Sequence, residues 1–293
     1  MILRWGGKQL PFSRAPTAEA WGLDLWRHMA ISIRDHHQRA IDKMIQRFAN
    51  DPGFGAMLVA GSVAKGCARE DSDLDVMLIA TEAEYARRSI SEPMSFCLFD
   101  VADYPGGYVD CKVLDLAFLR EAADHGSEPA RNAFIGAYPA FSRIDGIQEL
   151  VERIGVYPLA LQQERIDSFM AQIDLNRCFF WGEAHKRNDP YLQMRAATDI
   201  VLFGGRLILA HNRILFPCHK RLLEFVDLAP DKPAEFVSLA HKLLGEPTRV
   251  NMEKLCDCIE NFRDWKVKAD LLSRYVHDTE LTWRNRQPAI SDV

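Results

Sequence analysis

The sequence predicts an α+β chain: a small mixed sheet flanked by helices in residues 1–150, followed by an all-α helical bundle in residues 151–293. Three observations carry this. Short apolar runs bounded by Gly, Pro and Asp recur between residues 56 and 119. After residue 151 the strand patterns vanish and helical periodicity takes over. Hydrophobic residues make up 48% of the 293, enough for the core of one large domain or two ordinary ones.

In chain order, residues 18–49 read as a long amphipathic helix, with Leu25, Met29, Ile33, Ile41, Ile45 and Phe48 at roughly helical spacing. "DPG" at 51–53 stops it. "AMLVAG" (56–61) reads as a buried strand running into a Gly/Ser turn, and "DLDVMLIA" (73–80) as a second strand. "TEAEYARRS" is helical, with Thr81 as its N-cap. "MSFCLFD" (94–100) is a third strand, "YPGG" (104–107) a tight turn, and "YVDCKVLDLAFL" (108–119) a fourth strand leading into a helix. "AFSRIDGIQEL" (140–150) gives a short edge strand, a "DG" turn and a helix start. Helical patterns then cover 159–186, 191–213, 217–228, 233–245 and 251–278, punctuated by prolines that suit helix starts.

Composition narrows the function. A net charge of −5 argues against a non-specific nucleic-acid binder. No uncharged apolar run approaches the roughly 20 residues of a membrane span. The opening "MILRWGGKQLPF" lacks the apolar core and cleavage site of a signal peptide. The seven cysteines are scattered, and the closest pair, Cys256 and Cys258, fits no common zinc spacing. Reduced thiols and a cytoplasmic location are the expectation.

The chemistry concentrates in "VAGSVAKGCAREDSDLDVMLI" (59–79). On a strand, Asp73 and Asp75 point to one face, about 7 Å apart, while Leu74 and Val76 point into a core. Carboxylates so placed repel, and a divalent cation is the usual remedy. Oxygen ligands favour Mg²⁺, Mn²⁺ or Ca²⁺ over zinc. An EF-hand competes, since Asp71, Asp73, Asp75 and Glu82 fall at positions 1, 3, 5 and 12 of its spacing. Val76 stands where that loop needs Gly, and "VMLI" is a strand rather than a polar loop. Plain solvated turn carboxylates leave Asp75, inside the strand, unexplained. Upstream, Gly61 and Ser62 end a strand and turn towards a helix, a geometry that suits phosphate, although no Walker-type G-K-[ST] is present.

Together, "GSVAKG" and "SDLDV" resemble the signature of the DNA polymerase beta-like nucleotidyltransferase superfamily. Gly61, Ser62, Asp73 and Asp75 fall on it, and Gly66 and Ser72 match common accessory positions. The resemblance is specific over residues 56–116 and looser to 150. It implies a third carboxylate on a later strand. Asp110 in "YVDCKVL" fits; its competitor Asp115 is an odd number of residues further on and faces away on a regular strand. The helical half is similar in outline to the second domain of the kanamycin and lincosamide adenylyltransferases. "LAHNRILFPCHKRLLEF" (209–225) looks like a stretch that recurs in bacterial proteins of this kind.

The resemblance implies an N-terminal nucleotidyltransferase domain (1–150) and a helical substrate-binding domain (151–293). Two Mg²⁺ ions on Asp73, Asp75 and Asp110, with ATP as co-substrate, would serve transfer of AMP to a hydroxyl of a small-molecule acceptor. Gly61 and Ser62 would hold the terminal phosphates. Lys65, where relatives often carry Arg, and Lys220 from the helical half, beside Asn212 and Arg213, are further phosphate contacts. Ser72 joins the nucleotide site. Asp110 or a carboxylate of the helical half takes the acceptor's proton. A protein or RNA acceptor, and a nucleotide-binding regulatory module without transfer, are the competing functions. Acceptor identity, base preference and oligomeric state stay open. Asp71 is expected to be a solvated turn residue, Cys111 to pack inward, and Phe179, Phe180 and Trp181 to belong to the core. His211 and His219 read as structural.

Overall fold

The computed structural model describes residues 33–285. The part of the expected first helix before residue 33 lies outside them. Its remainder is α1, Asp35–Phe48, which buries His37, Ala40, Ile41, Met44 and Phe48 on one stripe. The fold is α+β. Five strands, β1 (Phe54–Val59), β2 (Leu74–Ala80), β3 (Ser95–Leu98), β4 (Val109–Asp115) and β5 (Tyr138–Ser142), form one sheet in the order β3-β4-β2-β1-β5. The sheet is mixed: β2 and β4 run parallel, and the other neighbours are antiparallel.

Between the strands lie a single turn α2 (Gly61–Ala64), α3 (Glu82–Ser91), α4 (Leu116–His125), α5 (Glu128–Ala133) and α6 (Ile147–Ile154). Thr81 caps α3 by accepting from the Glu84 amide at 3.3 Å, as its residue type suggests. Gly107 N donates to Tyr104 O at 3.0 Å and closes the expected turn. Gly146, at φ 69°, supplies the left-handed step into α6.

Strand alternation divides the sheet between two cores. Leu74, Val76 and Leu78 of β2, with Val109, Cys111 and Val113 of β4, pack on the α1 side. Met77 and Ile79 pack on the other side with Leu119 of α4 and Ile147, Val151 and Ile154 of α6.

From residue 155 onward the described chain is helical, with no strand. α7 (Gln162–Leu175) runs through a π-helical segment (Asn176–Phe180) into α8 (Trp181–Arg187). α9 (Pro190–His211) is the central rod, and α10 (Leu222–Leu228), α11 (Phe236–Gly245), α12 (Arg249–Phe262) and α13 (Leu271–Thr279) follow. α9 buries Ala196, Ala197, Ile200, Val201 and Leu207 to Ala210 against its neighbours.

Two expectations need correction. The pattern over 251–278 is two helices, not one. Trp265 folds back to donate to Ile259 O at 2.9 Å, and Asp270 starts α13 by accepting from Ser273 N at 2.9 Å. Of the aromatic triplet, Trp181 is core and Phe180 packs against it, but Phe179 is 53% exposed. Consecutive residues on a helix point about 100° apart, so the three side chains do not share a face.

Candidate active site

β2 and β4 lie in register, with Asp75 beside Asp110. Parallel neighbours sit about 4.8 Å apart, so these two carboxylates share one patch of sheet. Because the intervening residues face the α1 core, Asp73, Asp75, Asp110 and Lys112 all fall on the opposite face. α4 and α6 cover that face further along, over Met77 and Ile79. The acidic end stays only partly buried.

Gly61 fits this arrangement for a steric reason. Ala60 N donates to Asp75 O at 3.0 Å, which brings the end of β1 onto β2. Gly61 then turns at φ +64°, and a Cβ on it would stand 1.8 Å from Asp75 Oδ2. Only a bare Cα lets the chain pass the carboxylate. Ser62 follows in α2, half-buried, and its carbonyl accepts from Cys67 N at 3.0 Å.

The electrostatics are those of a crowded acidic face with two resident lysines. Burial, then the like charges of Asp73 and Asp110, push the Asp75 carboxyl above its ordinary range against the pull of Lys112 and Lys65. Lys112 Nζ donates to Asp110 Oδ2 at 2.7 Å. The Asp73 carboxylate beside the Tyr108 hydroxyl pushes that phenol up. Lys65 is buried, and its Nζ donates to Asn132 Oδ1 at 2.9 Å. Burial, then the like charge of Arg221, pushes its ammonium down to about 8.

The structure therefore brings Asp73, Asp75, Asp110, Gly61 and Lys65 into one neighbourhood. Of two other expected residues, Ser72 is engaged in its own loop and Lys220 is exposed. Ser72 Oγ accepts from Arg69 N at 2.8 Å, and Ser72 O accepts from the Tyr104 hydroxyl at 2.8 Å, so this serine shapes the loop before β2. Lys220 is exposed on the short helical turn His219–Arg221; its neighbour Arg221 is the residue whose charge reaches Lys65 and Cys67. Asp71 is exposed and accepts from Arg69 Nε at 3.0 Å, as expected of a turn residue. Asp115 is not a rival to Asp110: it caps α4 by accepting from Phe118 N at 2.7 Å. Cys111 packs inward.

Lys112, Tyr108 and Arg221 were missed in the sequence. Lys112 was legible there, because the period of two that selects Asp110 also puts Lys112 on its face. Nothing in the sequence favours Arg221 over Lys220.

A divalent cation fits the chemistry of these donors: oxygen ligands only, on one face, with a negative surplus centred on Asp75. Among the described residues, no three His, Cys, Asp or Glu side chains are drawn together closely enough to cage a metal unaided. Asp110 instead engages Lys112.

A cavity of about 670 Å³ begins at Ala64 and Lys65 and is lined further by Phe134, Tyr138, Gln148 and Glu152. Lys65 belongs to its wall and to the surroundings of Asp75.

No known family profile matches the chain, and no curated protein matches it. Among solved structures it is similar to a nucleotidyltransferase-like protein from Exiguobacterium sibiricum 255-15, at 13% identity and a TM-score of 0.43, over 86% of this chain and 80% of that one. A likeness of that depth assigns neither family nor activity. No described helix is long and apolar enough to cross a membrane.

Proposed function

We propose that this protein is a metal-dependent nucleotidyltransferase that moves AMP from ATP to a hydroxyl of a small-molecule acceptor and releases pyrophosphate. The observation that carries the reading is the register of Asp75 beside Asp110 on adjacent parallel strands, with Gly61 pressed bare against Asp75. Folding alone does not favour that placement, since it buries a carboxylate among like charges. Asp73, Asp75 and Asp110 are the residues that would hold the metal. Two divalent ions, when bound, supply stabilisation of charge on the attacking and leaving oxygens.

The chain's own residues do the remaining work. Gly61 and Ser62 form the turn after β1 that the phosphates would approach. Lys65 and Arg221 supply positive charge beside it, one from each half of the molecule. Asp110, once Lys112 leaves it, or a carboxylate of the helical half would accept the acceptor's proton. The cavity of about 670 Å³ has the size a small molecule takes, which supports a small acceptor over a protein or RNA.

One observation favours a second reading. The Lys112–Asp110 pair removes a ligand from the acidic face. That suits a module which binds nucleotide without transferring it. A pyrophosphate-release assay with ATP, Mg²⁺ and a panel of hydroxyl acceptors separates the two. Transfer predicts release that Asp73→Asn and Asp75→Asn each abolish while circular dichroism stays native. Release that survives both substitutions sinks the assignment, and nucleotide binding without release under every acceptor selects the module.

A further inference from the structure

We infer that Lys112 is the resident cation of the acidic face: its ammonium holds Asp110 in the metal-free protein, and a divalent ion must displace it to engage the aspartates. The inference rests on the proposed metal site and deepens it. Lys112 stands two residues after Asp110 on β4, in register with Met77 of β2 and Ser95 of β3. Its Nζ reaches back along the strand to Asp110 Oδ2 at 2.7 Å. The groups that act on its charge are Asp110, Asp75 and Asp73.

Lys65 and Lys112 are the two lysines acting on Asp75, and they differ in freedom. Lys65 is 6% exposed and tied to Asn132, so it cannot withdraw without breaking a buried bond. The Lys112 side chain is 45% exposed and carries its ammonium on a flexible four-carbon stem. The pair is only part-buried, so solvent can take over the ammonium once it gives up the carboxylate. Lys112 thus offsets part of the repulsion among the carboxylates while no metal is bound, and swings out when one arrives.

The test uses Mn²⁺ alone, with no nucleotide. Free Mn²⁺ is read by electron paramagnetic resonance during titration of the full chain and of Lys112→Met. Removal of the competing ammonium is expected to tighten Mn²⁺ binding about tenfold, equivalent to about 1.4 kcal/mol. A second measurement needs no variant. Acylation of the wild-type protein by acetic anhydride, read residue by residue by mass spectrometry, is expected to rise at Lys112 when Mg²⁺ is added and to stay constant at exposed Lys220.

Equal or weaker Mn²⁺ affinity in Lys112→Met, or unchanged acylation of Lys112, overturns the inference. If the wild type binds Mn²⁺ and releases pyrophosphate but the variant binds equally, the lysine's role fails alone. If neither protein binds Mn²⁺ and no pyrophosphate appears, the metal site fails with it.

Discussion

Asp75 lies between Asp73 and Asp110, and its carboxyl is raised above its ordinary 3.8, first by burial and then by those neighbours. The folded chain therefore holds this proton more tightly than the unfolded chain does. Stability from this group is fullest below 3.8 and is lost as pH rises through the folded value. At pH 7 without metal, the charged form is a cost. Asp75→Asn is expected to raise Tm at pH 7 in EDTA by a few degrees, the effect of about 1 kcal/mol in a chain of this size. The gain should shrink towards pH 3, while pyrophosphate release is lost. A lower Tm at pH 7 refutes this account of the carboxylate. Gly61→Ala acts on the same spot sterically. The φ of +64° and the 1.8 Å approach to Asp75 Oδ2 predict a loss of about 2 kcal/mol or more in thermal unfolding. A melt within a degree of wild type contradicts the steric reading. Both residues were legible in the sequence as a Gly-Ser turn and an Asp-x-Asp strand. The reason Gly61 is needed was not, because it depends on a contact between β1 and β2.

Strand and helix boundaries follow from local signals where caps and alternation agree. Asp115 shows this at the junction of β4 and α4. Its sequence position, an odd step from Asp110, removes it from the acidic face, and its cap bond to Phe118 N explains what it does instead. Asp115→Ala should cost about 1 kcal/mol in urea unfolding and leave pyrophosphate release unchanged. Asp110→Asn should do the reverse. Loss of release in Asp115→Ala would reopen the choice of third carboxylate. α5 gave no comparable signal. It is six residues long, opens on a Ser127 cap with Pro129 behind it, and shows too little periodicity to register. Yet it buries Glu128, Arg131 and Asn132, whose partners lie as far away as Lys65, Leu215 and Arg206. Long-range polar contacts of this kind leave no local pattern in the sequence. The one-helix reading of 251–278 failed similarly, because the Lys268 bond to Asp167 depends on α7.

At the scale of the whole molecule, the two halves meet through that short helix. Glu128 has a side chain only 4% exposed. It accepts from Arg206 Nη2 of α9 at 2.9 Å and from Phe216 N at 2.7 Å, and it faces Arg165 Nη1 of α7 at 3.3 Å. Arg206 also lies over the rings of Phe169 and Phe216, at 4.6 and 4.7 Å. A second chain runs from Lys65 through Asn132 to Leu215 O. Apolar packing dominates inside each half, whereas these links are polar, so their geometry fixes how Arg221 stands relative to Lys65. Glu128→Gln keeps the shape but removes the one carboxylate between two guanidinium groups. Breaking a buried pair on one side costs about 3–5 kcal/mol. Urea unfolding should therefore shift to a lower midpoint and separate into two transitions of smaller slope, as each half loses its partner's support. Glu128→Met combined with Arg206→Met should cost less than the sum of the single changes, since Arg165 alone, rather than two guanidinium groups, is then left facing the gap. A single transition with an unchanged midpoint in Glu128→Gln would show that the carboxylate does not hold the halves together. Additive losses in the pair would show that Glu128 and Arg206 act on the interface independently.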